Sequence, residues 1–229
     1  NINQINNLNK WLEIAKSAAL IGGAYLLENQ SKDLAILHNS GRDIKLQIDR
    51  DTEILIKAKL SSQSSFSILG EETGKSSDLG EFYWVVDPLD GTKEFVKRNG
   101  EFTVNIALIH NGNPIIGVIY VPVKKELYFA MEGLGSYKVN HNSVIESIET
   151  LISLSDSLPI DHKRENYVIV GSRSHMSAET EAFFEQKKEE HGSVEIMAVG
   201  SSLKICMVAE GKADAYPRYA PTMEWDTGA

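Results

Sequence analysis

The nine residues from Trp84 to Thr92, WVVDPLDGT, constrain this chain more than any other stretch: an apolar strand ends on two carboxylates three positions apart and then turns on a glycine. Phe82 to Val86 reads as a short buried strand, because a run of aromatic and β-branched residues has no polar face to offer water. Pro88 should stop that strand, so that Asp87, the Leu89 carbonyl and Asp90 curl around one point. Oxygen donors alone suit a hard cation such as Mg²⁺ or Mn²⁺ rather than zinc. Gly91 and Thr92 then offer backbone amides and a hydroxyl at a helix start, where an anion is favoured. The plain alternative is an Asp-Pro turn followed by an Asp-Gly turn in an ordinary loop.

Two further acidic clusters strengthen the metal reading. Glu71 and Glu72 follow the apolar run Ile68-Leu69-Gly70, and Asp226 lies beside Trp225 near the end of the chain. Taken singly, each is what a solvated loop contains. Together they supply the carboxylates needed by two divalent ions about 3.5–4 Å apart, which clamp the attacking and leaving oxygens of a phosphoryl displacement.

GEE, WVVDPLDGT and WDTGA, in this order, resemble the inositol monophosphatase superfamily of Mg²⁺-dependent, lithium-sensitive phosphatases. Asp90 to Ile109, Gly171 to His175 and Gly200 to Thr227 are similar to its 3′(2′),5′-bisphosphate nucleotidase branch, the bacterial CysQ type; Glu94-Phe95 stands where inositol monophosphatases usually carry Asn-Phe. The resemblance covers most of residues 43–229. It is thin over the first forty and between about 139 and 166. It implies a mixed α/β fold, a layered α-β-α-β-α sandwich, with an N-terminal lobe at 1–158 and a C-terminal lobe at 159–229. It also implies metal ligation by Glu71, Asp87, the Leu89 carbonyl, Asp90 and Asp226, with Asp87 bridging two of two or three Mg²⁺ ions and Mn²⁺ able to substitute. Asp49 matches the early acid near the catalytic water, and Thr92 with Glu71 or Asp49 would orient that water. Gly91 and Thr92 would hold phosphate oxygens, while His175, Ser201, Lys204 and Arg218 would meet the nucleotide, its second phosphate or its base.

The substrate so implied is 3′-phosphoadenosine 5′-phosphate, cleaved to AMP and phosphate in sulfur metabolism. An inositol or sugar phosphatase is the nearest alternative, and a phosphate-binding regulator without catalysis is the alternative of another class. An aspartyl-phosphate mechanism is disfavoured because such enzymes carry Asp-x-Asp-Gly-Thr, and the extra residue here moves the second acid off the same strand face. From the residues alone, Asp49 or Asp51 is a helix cap, Lys204 a surface lysine and Arg218 a surface arginine packed by Tyr216 and Tyr219.

A net charge of −9 over 229 residues excludes a protein that coats nucleic acid or an anionic membrane, so a small phosphorylated substrate must be drawn in locally. The lone Cys206 excludes an internal disulfide, fits a reducing cytoplasm and sits in an apolar stretch as a buried thiol. The uncharged run Ser17 to Leu27 is too short to span a bilayer, although peripheral association with an inner membrane stays compatible. Monomer and homodimer are both open.

Along the chain, helical spacing of Leu8, Leu12, Ala15 and Ala19 predicts a scaffold helix over about 5–29. Residues 41–49 alternate like a strand, with a helix resuming at Asp51. From Phe102 to Asn140, β-rich runs separated by Asn-Gly and Gly-Leu-Gly turns predict an antiparallel sheet. The last third alternates: strand 167–170, helix 178–190, strand 194–199, helix 202–210. Relatives of this type continue for a few dozen residues past WDTGA, so we expect the natural protein to extend beyond Ala229. Asp226 would open a helix that the few remaining residues cannot nucleate.

Overall fold

The computed structural model describes residues 2–32, 36–39, 44–74, 78–140, 147–171 and 176–229. It begins with α1 (Ile2–Asn29), which buries Leu8, Leu12, Ala15, Ala19 and Leu26 along one stripe. Two short antiparallel strands, β1 (Ile36–Asn39) and β2 (Ile44–Leu46), lead directly into α2 (Gln47–Ser61). The helix therefore starts at Gln47, not at Asp51. Asp49, at its third position, accepts the Leu46 amide at 2.9 Å, and this cap begins the helix inside what the alternation made a strand.

Next comes a seven-stranded sheet in sequence order: β3 (Ser67–Gly70), β4 (Phe82–Asp90), β5 (Thr103–His110), β6 (Asn113–Val121), β7 (Glu126–Met131), β8 (Gly135–Asn140) and β9 (Asp156–Ser157). β3 and β4 run parallel, and every later neighbour is antiparallel. The predicted hairpins are there; Asn111 and Gly112 turn the first with φ of 49° and 78°, the left-handed values a two-residue turn requires. Short helices α3 (Thr92–Lys97) and α4 (Ile148–Ser153) interrupt the meander. β4 does not end at Val86. Its pairing with β5 slips between Asp87 and Asp90, a bulge that absorbs the donor missing at Pro88, and resumes at Asp90 opposite Thr103.

Alternation along β4 divides the core. Trp84 and Val86 join the cluster built with α1 and α2, whereas Val85 faces the other way with Leu69, Ala107 and Ile109. On that second face the sheet meets α6 (Leu203–Glu210): Ile119, Val121 and Tyr128 pack with Leu203, Cys206 and Met207. Val168 and Val170, from the parallel pair β10 (Tyr167–Val170) and β11 (Val194–Met197), complete the cluster, and α5 (Ala178–His191) packs on that pair. Contacts thus run helices, large sheet, helix, small sheet, helix. One turn, α7 (Glu224–Thr227), closes the order. Each fully buried Leu, Ile or Phe in these layers contributes about 1.5–3 kcal/mol. Cys206 is buried as expected, and burial pushes its thiol well above the ordinary range.

Candidate metal centre

Asp87 lies one pleat beyond Val85, so its side chain projects to the face that carries α6 and α7. The bulge then turns Asp90 toward the same place. One carboxylate oxygen from each of Asp87, Asp90 and Asp226 lies within 4.8 Å of the other two. Asp226 arrives on α7, a turn that does form despite the few residues after it. Its Oδ2 accepts the Met223 amide and the Thr222 hydroxyl, both at 3.0 Å, and Trp225 packs against the Leu69–Val85–Ala107–Ile109 cluster. Side-chain capping and one half-buried ring thereby replace the propagation a longer helix would supply.

The three acids repel one another. Burial, then Glu71 and Asp90, drive the Asp87 carboxyl well above its usual range, and Glu71 is also hydrogen-bonded to it. Asp90 is pushed up to about 6 by burial and by Asp226, against the opposing pull of the Ser202 amide and Lys204. Such a cluster calls for positive charge. Asn105, directly across the ladder from Asp87 and on the same face, is 2 % exposed, and its Oδ1 has no hydrogen-bond partner. Converging carboxylates, Asp87 and Asp90 raised by burial and by neighbouring acids, and flanked by an orphaned buried carbonyl oxygen, fit a hydrated hard cation.

Asp90 and Asp226 open on a cleft of about 200 Å³ that Lys204 and Arg218 also line. Both cations are held: the Lys204 ammonium lies 5.8 Å from the Tyr216 ring centre, and Arg218 donates to the Tyr216 hydroxyl at 3.1 Å. Arg218 is exposed and packed by Tyr216, as a surface arginine would be, while Lys204 is half-buried. Gly91, with φ of 87°, starts α3 at the cleft edge, and a Cβ there would sit 3.1 Å from Ser201 Cβ. Ser201 is itself left-handed, φ 53°, and its hydroxyl donates to the Glu101 carbonyl at 2.5 Å. Ser202 anchors α6 from below, its hydroxyl 2.7 Å from Thr103 Oγ1 on β5. At the other end of α6, buried Glu210 accepts from Tyr128 at 2.6 Å and from Lys138 and Lys212. Burial raises that carboxyl, but these bonds outweigh burial and hold it low.

Other expected positions stand apart. Thr92 is the first residue of α3, behind Gly91, and does not line the cleft. Asp49 lies outside the three-acid group and caps α2. Leu89 is buried in the bulge, with its amide donating to Asp87 Oδ1 at 3.2 Å. His175 falls outside the described residues. Glu94, Tyr216 and Thr222 line the cleft although the site reading passed over them. Of these, Glu94 had a signal, as the acid directly after Asp-Gly-Thr-Lys.

Residues 7–229 match the model of the inositol monophosphatase family. The chain is 48 % identical over 147 residues to the 3′(2′),5′-bisphosphate nucleotidase CysQ of Shigella flexneri, an alignment covering 64 % of this chain and 53 % of that protein, about half its length. It is 36 % identical over 227 residues to the CysQ protein of Buchnera aphidicola subsp. Acyrthosiphon pisum, covering 97 % of this chain and 78 % of the other. Among solved structures, CysQ from Bacteroides thetaiotaomicron superimposes with a TM-score of 0.83 at 45 % identity, over 96 % of this chain and 84 % of that one. An acidic cluster at the end of a bulged strand, the layered fold around it and these matches have one reading in common: the chain belongs to the inositol monophosphatase family.

Proposed function

We propose that this protein is a Mg²⁺-dependent 3′(2′),5′-bisphosphate nucleotidase that releases the 3′-phosphate of 3′-phosphoadenosine 5′-phosphate to water. The observation that carries the reading is a single cleft lined both by Asp90 and Asp226 of the carboxylate cluster and by Lys204 and Arg218. A substrate with one reacting and one further phosphate needs both kinds of group. The names of the CysQ relatives support the nucleotide over an inositol phosphate.

In this reading Glu71, Asp87, the Leu89 carbonyl, Asp90 and Asp226 hold the cations. Bound, those ions would neutralise phosphate charge and acidify water. Thr92, with Glu71 or Asp49, would orient the attacking water, and the Gly91 and Thr92 amides would hold phosphate oxygens. Ser201, Lys204, Arg218 and His175 take the second phosphate or the base, all four from residues 159–229. Most ligands come from residues 1–158, so the site lies where the two proposed lobes meet. We place the enzyme in the cytoplasm; among the described residues no helix is long and apolar enough to cross a membrane.

Phosphate release from 3′-phosphoadenosine 5′-phosphate and from inositol 1-phosphate, each with Mg²⁺ and with excess chelator, tests the reading. Metal-dependent release with a preference for the nucleotide is expected. A preference for inositol phosphate would move the assignment within the family, and full activity in chelator would remove the metal mechanism.

A further inference from the structure

Glu53 is fully buried on α2, a helix that otherwise only covers the sheet. A buried carboxylate is costly unless its oxygens are satisfied. Its partners all lie in one short turn, twenty residues downstream. The Glu72 amide donates to one oxygen at 2.7 Å, and the Thr73 amide to the other at 3.1 Å. The Thr73 hydroxyl donates to that second oxygen as well, and is itself held by Lys57, one helical turn beyond Glu53, at 2.7 Å. Gly70 shows how closely this carboxylate lies on the chain: a Cβ at that position would be 2.2 Å from Glu53 Oε1. The turn is closed by paired hydrogen bonds between Gly70 and Gly74, and the Glu71 amide donates to Val86 on β4 at 3.1 Å.

Glu71 therefore sits between a residue pressed under Glu53 and two residues tied to it, with its own side chain directed to Asp87. We propose that Glu53 is a positioning residue of the metal centre, holding the 70–74 turn so that Glu71 meets Asp87 in ligating geometry. The proposal rests on the metal reading of the site. Glu53 makes no contact with substrate in this scheme and acts through Glu71. Groups that orient a ligand from behind typically control metal affinity or activity by about 10–100-fold.

The test uses the whole chain and measures Mn²⁺ binding by the loss of the free-ion electron paramagnetic resonance signal, with thermal unfolding in chelator as a control for folding. Glu53→Gln preserves size but turns one acceptor into a donor facing an N–H. We expect it to weaken Mn²⁺ binding about tenfold or more, to raise the Mg²⁺ needed for half-maximal turnover to the same extent, and to leave the substrate KM at saturating metal unchanged. In a Glu71→Gln background the same change should have no further effect on Mn²⁺ affinity. Thr73→Val removes only the hydroxyl contact and should weaken binding less, in the same direction; it decides the matter if Glu53→Gln does not fold. Wild-type Mn²⁺ affinity in the folded variant, or losses that add to those of Glu71→Gln, would overturn the positioning role. A wild type that does not bind Mn²⁺ would instead overturn the metal reading, and it does so without any variant.

Discussion

Asp90→Asn should cost the protein its activity and make its metal-free form more stable. Asn keeps the acceptor that the Ser202 amide uses but carries no charge, so it leaves the local hydrogen bond and removes repulsion from Asp226 and Glu71. The magnitude follows from the climb of the Asp90 carboxyl from 3.8 to about 6, which corresponds to about 3 kcal/mol. A group whose folded value is raised contributes its full stability below about 4 and loses it as pH rises through about 6. The wild type thus bears the whole penalty at neutral pH, and the variant none. Relief of Asp87, which Asp90 also pushes up, adds in the same direction. For a chain of this size 1 kcal/mol moves Tm by about 2–4 °C, so a rise of about 6–12 °C is expected in excess chelator near neutral pH. The gain should shrink as pH falls through about 6 and vanish well below the ordinary value of 3.8, where Asp90 is protonated in both states. Thermal unfolding by circular dichroism across that range, beside a phosphate-release assay, measures both halves. A variant less stable than wild type at neutral pH, or a gain that persists unchanged in acid, would refute the repulsion argument.

Adding Mg²⁺ to the wild type should raise Tm by mass action, and more at neutral pH than near pH 5, because Asp87 and Asp90 must lose protons to ligate; scanning calorimetry at the two pH values checks this. If Lys204 engages a second phosphate, Lys204→Ala should lower kcat/KM for 3′-phosphoadenosine 5′-phosphate by at least about thirtyfold, the ~2 kcal/mol cost of a desolvated charge pair, with little change for inositol 1-phosphate. Equal losses on both substrates would make Lys204 structural. Gly91→Ala should cost about 1–2 kcal/mol for its left-handed backbone and, by pushing on Ser201, reduce kcat/KM more than Tm; comparing kinetics with unfolding separates the effects. Glu210→Leu leaves the buried Tyr128 hydroxyl without its acceptor and Lys138 with Glu126 alone, and should lower stability by about 1–3 kcal/mol in urea unfolding.

Local chemistry, readable without a structure, determined much of this protein. The helical stripe of α1, the hairpins from Phe102 to Asn140 and the alternating last third each follow from a period of apolar residues, and they appear within a few residues of where that period ends. Asp87, Asp90 and Asp226 were recognisable as candidates because separate acidic clusters, each ordinary alone, stand in the order of a known metal-binding motif set. Long-range contact decided the rest. Pro88 does not stop β4, because a bulge against β5 accommodates its missing donor, and no local signal carries that partner. Nor does local sequence show that Lys204 and Arg218 line one cleft, since Tyr216 organises both only after α6 has docked. In the sequence Glu53 is one more acid within a helical stretch, with nothing local to single it out. Its burial against the 70–74 turn depends on α2 packing on β4, and the close approach at Gly70 exists only in that packing. Periodicity reports which face of an element is apolar, and the fold alone determines which distant backbone amides come to rest on a buried carboxylate.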